Sequence, residues 1–74
     1  MKETIRQLLE DTLPLVDLDS DFLFSELDSL GITTILMVLS EHFNIQLESE
    51  DVTPKNFMSL DSIVELVQSK LAQK

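Results

Sequence analysis

Leu27-Asp28-Ser29-Leu30-Gly31-Ile32-Thr33-Thr34-Ile35-Leu36-Met37-Val38-Leu39-Ser40-Glu41-His42-Phe43 is the stretch on which the fold turns. At about 100° per residue, Ile32, Ile35, Leu36, Leu39 and Phe43 fall on one face of a helix. Leu30 and Met37, seven positions apart, fall together on the opposite face, flanked by Thr33, Thr34 and Glu41. Asp28 has the side chain of a good N-cap, because its carboxylate accepts from the first free N–H groups. The pattern therefore predicts a helix from Asp28 or Ser29 to about Phe43, apolar on its outer side near the start.

Two further helices flank it. Ile5, Leu8, Leu9 and Leu13 recur at helical spacing from about Lys2 to Leu13, and Pro14 marks the end. Ser59 reads as the cap of a last helix over about Leu60 to Ala72, with Leu60, Ile63, Val64, Val67 and Leu71 on its inner stripe. Between Pro14 and Asp28 lies a loop of about fifteen residues, near the upper limit for an ordered connection. Its apolar residues, from Leu15 and Val16 to Leu27, suggest that it packs over the helices. Loops of this length often carry function or border it. Thr53-Pro54 signals a short helix anchored by Val52 and Phe57. The expectation is an all-α fold: a small bundle of three longer helices and one short one, with the long loop between the first and second.

The chain of 74 residues is read as one domain, 1–74, with room for one modest core and no deep catalytic cavity. Hydrophobic residues make up 43%, enough for a folded core, and the four aromatic residues are all Phe. There are no cysteines, so disulfides and thiolate metal sites are excluded. The start of the chain lacks the pattern of a signal peptide, and no apolar run is long enough to span a bilayer. A cytoplasmic, monomeric protein is expected. The net charge of −9, from 14 acidic and 5 basic residues, repels nucleic-acid phosphates and anionic lipid. Neither nucleic-acid binding nor membrane insertion is expected.

Catalysis finds little support. Ser29 needs a base to act as a nucleophile, and the lone histidine, His42, lies thirteen residues along the same helix. That is roughly 20 Å at 1.5 Å per residue. His42 sits at the border of the core face and reads as a partly buried packing residue. Gly31 is the lone glycine, so phosphate-binding glycine loops are absent. No enzyme activity is expected. Calcium binding is an alternative. Asp17, Asp19, Asp21 and Asp28 fall at the first, third, fifth and twelfth positions of an EF-hand-like window, with Ser25 at the ninth. Against it, Phe22 stands where a glycine must make the sharp turn, and Pro14 interrupts the incoming helix.

Ser29 remains. It follows a long loop and opens a helix, so its hydroxyl is expected to be exposed. The partial positive charge and free N–H groups of a helix start favour an attached phosphodiester. A serine there is also commonly just a cap. The combination of Leu27-Asp28-Ser29-Leu30-Gly31, its place at the head of an amphipathic helix, the acidic charge, the length and the helix order resembles the acyl carrier protein family. That family includes the peptidyl and aminoacyl carrier domains, and the resemblance covers nearly the whole chain. It implies that Ser29 takes 4′-phosphopantetheine from coenzyme A through a phosphopantetheinyl transferase. Asp28 matches the family's aspartate that helps the transferase and its magnesium engage the site. Leu30 and Met37 match outward apolar positions touched by partners, and Thr33, Glu41 and Glu26 lie beside them as further docking candidates. Acyl or aminoacyl groups would ride as thioesters on the arm. The implied partners include an acyl- or aminoacyl-activating ligase and downstream acyltransferase or condensing enzymes. The second helix holds Gly31, Thr34 and Ser40 where fatty acid carriers commonly have acids. The expected setting is therefore a specialised, aminoacyl or D-alanyl pathway rather than housekeeping fatty acid synthesis.

Overall fold

Pro14 ends the first helix where its missing N–H and its clash with the preceding residue require. α1 spans Lys2–Thr12, and Leu13 closes it by donating its N–H to Leu9 O at 2.7 Å. The structure, a computed structural model, describes residues 1–73. α2 spans Ser29–Phe43 and α3 spans Leu60–Ala72, each beginning where its cap residue predicts. The Ser59 hydroxyl accepts from Ser62 N–H at 3.3 Å. α2 stops at Asn44, which turns left-handed with φ 54°, and Ile45 N–H closes onto Ser40 O at 3.1 Å. Asn tolerates that conformation better than most side chains. No strand occurs among the described residues.

α1 packs against both α2 and α3. Ile5 and Leu9 of α1, Ile35 and Leu39 of α2, and Ile63 and Val67 of α3 form the fully buried centre. The connections complete it. Leu18 and Leu23 come from the long loop, and Phe57 from the segment before α3. Burying a side chain the size of Phe57 contributes about 1.5–3 kcal/mol. Charge ties the outside together. Lys2 of α1 reaches Asp61 at 2.7 Å, and Arg6 reaches Asp19 of the loop at 2.5 Å.

Two connections differ from the sequence reading. The long loop contains a 3₁₀ turn over Leu23–Glu26, held from outside by the hydrogen bond from Leu23 N–H to Met58 O at 2.8 Å. The fourth, short helix is not present as an α-helix. A 3₁₀ turn spans Ser49–Asp51, followed by one helical turn in which Phe57 N–H reaches Thr53 O at 3.1 Å. The Asn56 side chain bends back to Asp51 O at 3.0 Å, so the segment folds on itself rather than propagating. One turn fixes several dihedrals for a single bond, and extending it needs a longer favourable run.

Candidate functional site

The head of α2 is built by its own cap. Asp28 is extended, and its Oδ1 accepts from Gly31 N–H at 2.7 Å while its carbonyl accepts from Ile32 N–H at 2.9 Å. The first N–H groups of a helix have no acceptor within it. With Gly31 served by Asp28, those of Ser29 and Leu30 are left to carry the positive end of the helix. Among the described residues, nothing donates to Asp28 Oδ2.

Ser29 is exposed and is the first residue of α2. Ser29, Thr33, Met37 and Glu41 stand four apart and form one exposed ridge along the helix. Leu30 lies beside the ridge with 74% of its surface in solvent, and Met37 has 54%. Thr33 donates its hydroxyl to Ser29 O at 2.9 Å, so that hydrogen is already engaged. Glu41 lies twelve residues from Ser29, about 18 Å along the axis. Glu26 is exposed on the loop side and its Oε1 accepts from Asp17 N–H at 3.4 Å. The structure thus gathers Ser29, Asp28, Leu30, Thr33 and Met37 on one surface, and sets Glu26 and Glu41 toward its two ends.

Gly31 plays a part the sequence reading did not assign. It is buried, and a Cβ built on it would stand 3.2 Å from Asp28 Oδ1, 3.7 Å from Leu27 Cδ2 and 3.9 Å from Leu13 Cδ2. Its value is close approach, which lets the cap fold tightly over the helix start. The signal available in the sequence was that the chain's lone glycine sits inside the motif.

His42 corrects an expectation. It is exposed rather than partly buried, with its ring edge-on to Phe43 at 4.8 Å and beside Leu8 of α1. The next residue, Phe43, packs against the core and leaves His42 beside it in solvent. It stands almost the full length of α2 from Ser29, so no Ser–His pair forms.

The acidic window of the loop is divided among separate tasks. Asp17 Oδ1 accepts from Asp19 N–H at 3.0 Å, Asp19 pairs with Arg6, and Asp28 caps α2. The Arg6 guanidinium, by hydrogen bond and charge, holds the Asp19 carboxyl below its usual range. Among the described residues, no group of three or more acidic or histidine side chains gathers as metal ligands. The EF-hand-like spacing does not fold into an EF-hand loop.

A family model described as "Phosphopantetheine attachment site" matches residues 2–69. Comparisons with curated proteins and with solved structures return no match. No helix among the described residues is long and apolar enough to cross a membrane.

Proposed function

Because the chain belongs to the phosphopantetheine attachment family, whose members bear 4′-phosphopantetheine covalently on a serine, we propose that Ser29 is that serine and that residues 1–74 form one carrier domain for acyl or aminoacyl cargo. One observation carries the assignment: within the matched residues, Ser29 presents an exposed hydroxyl at the positive end of a fifteen-residue helix. When bound, the arm supplies a terminal thiol, a nucleophile that this cysteine-free chain lacks, on which cargo can be held as a thioester.

The chain's own residues fit the attachment. The free N–H groups of Ser29 and Leu30 favour a phosphate on the neighbouring oxygen. Asp28 keeps its backbone-facing oxygen on Gly31 and offers the other to the transferase and its magnesium. Leu30, Thr33 and Met37 form the adjacent surface for partner enzymes, with Glu26 and Glu41 at its borders. Carriers of this kind work with a phosphopantetheinyl transferase and the enzymes of their pathway. The chain's partners are an acyl- or aminoacyl-activating ligase and downstream acyltransferase or condensing enzymes. The setting is cytoplasmic and specialised, and the scarcity of acids on α2, where Glu41 stands alone, supports the second of these. In this reading the chain supplies position and identity, and its partners supply the catalysis.

The test is co-expression with a broad-specificity phosphopantetheinyl transferase, followed by intact mass. Wild type gains one phosphopantetheine and Ser29→Ala gains none. Failure of wild type to gain mass across several transferases overturns the proposal.

A further inference from the structure

We infer that Met37 is a redox-sensitive modification site, at which oxygen transfer from a peroxide to the sulfur weakens the engagement of partner enzymes and so controls attachment of the arm. This control rests on the carrier reading, because it acts on the surface that reading gives to partners.

The chain has three methionines and no cysteine, tryptophan or tyrosine. Thioethers are therefore the side chains that a peroxide attacks first. Met37 is 54% exposed, against 46% each for Met1 and Met58, so oxidant reaches all three. Position sets Met37 apart. Met1 precedes α1, and Met58 lies in the connection before α3. Met37 stands on α2, about 12 Å along the axis from Ser29. It shares the exposed side of the helix with Thr33 and with Leu30, which is 74% in solvent. A flexible, polarizable thioether suits a surface that several partners must fit.

The step is an oxygen transfer. The sulfur lone pair attacks one oxygen of hydrogen peroxide, the O–O bond breaks, an S–O bond forms, and water leaves. Sulfur is oxidised by two electrons and the peroxide is reduced by two. The product is a sulfoxide, polar and chiral where the thioether was apolar. Its neighbours along the exposed ridge have no donor to give it. Thr33 already donates its hydroxyl to Ser29 O at 2.9 Å, and Glu41 as a carboxylate only accepts. A partner that covers the thioether with apolar surface would have to bury the new oxygen without a hydrogen bond, which is costly. Reduction by methionine sulfoxide reductase, at the expense of a dithiol, removes the oxygen as water and restores the thioether.

The test treats the full chain with hydrogen peroxide before the arm is attached, so that no arm thiol competes, and removes the excess with catalase. Peptide mapping gives the sulfoxide at each methionine. Transfer of phosphopantetheine by a transferase that modifies wild type is then followed by intact mass over a range of carrier concentrations. Each protein is compared with its own untreated sample. In wild type, oxidation is expected to raise KM about fivefold or more and to change kcat by less than about twofold. Met58→Leu shows the same rise, Met37→Leu shows none, and methionine sulfoxide reductase reverses the effect in wild type. Thermal unfolding of oxidised wild type shifts by less than about 2 °C, which separates lost docking from lost fold. A KM within about twofold of the untreated value once Met37 is fully converted overturns the inference, as does an equal rise in Met37→Leu. Untreated wild type that accepts no arm from any of several transferases overturns the carrier reading, and this control with it.

Discussion

Replacing Asp28 by Ala and by Asn separates its two tasks at the head of α2. Alanine removes the acceptor that now holds Gly31 N–H at 2.7 Å. Losing such a cap costs about 1 kcal/mol, and losing a negative charge at the helix start costs roughly 0.5 kcal/mol more. Asparagine keeps an acceptor and loses only the charge. For a domain of this size each kcal/mol moves the melting temperature by about 4–8 °C. Asp28→Ala should therefore melt about 6–12 °C lower than wild type, and Asp28→Asn about 2–4 °C lower. Both variants remove the carboxylate offered to the transferase and its metal, so both should slow phosphopantetheine transfer about tenfold or more. Thermal unfolding by circular dichroism gives the first quantity, and the time course of intact mass gives the second. Equal melting of the two variants would refute the capping argument. Wild-type transfer in Asp28→Asn would refute the role given to the negative charge.

Two other expectations concern the frame around the site. Gly31→Ala adds a methyl in ordinary contact with Leu27 and Leu13, and alanine is worth up to about 1 kcal/mol over glycine in a helix. The contact at 3.2 Å forces Asp28 Oδ1 to retreat by a few tenths of an ångström, which an exposed carboxylate can do. The net expectation is a melting temperature raised by about 2–4 °C, and a fall would mean that the cap cannot yield. At Asp51, burial pushes the carboxyl up, but the Glu48 N–H at 2.9 Å and Lys70 at 3.1 Å outweigh it and lower its pKa. A lowered folded-state pKa stabilises above the unfolded value and loses that contribution as pH falls through the folded one. Asp51→Asn should thus melt about 2–4 °C lower at pH 7, with the gap closing below about pH 4. A gap unchanged at low pH would contradict the ion pair.

Much of this fold is legible in the sequence because its signals are local. The Asp28 and Ser59 side chains reach only three residues ahead, so the starts of α2 and α3 are written beside the residues that make them. Pro14 ends α1 by its own chemistry. The exposure of Ser29, Leu30 and Met37 follows from helical periodicity once the start is fixed. What escaped is what depends on distant residues. The 3₁₀ turn at Leu23–Glu26 hangs on Met58, thirty-five residues beyond Leu23. Leu66 lies off the inner stripe of α3, yet it is buried where the Asp51–Met58 segment passes beside it. His42 sits where periodicity alone places it at a border, and the packing of its neighbours decides that it faces water. Leu13, from the end of α1, comes within ordinary contact of the space beside Gly31, which no local pattern announces.

Peptide mapping with tandem mass spectrometry, on protein co-expressed with a phosphopantetheinyl transferase, asks the central question at single-residue resolution. Of the eight serines in the chain, the added group is predicted to reside wholly on Ser29. Finding it on another serine, or finding every serine unmodified after exposure to active transferases, would contradict the account.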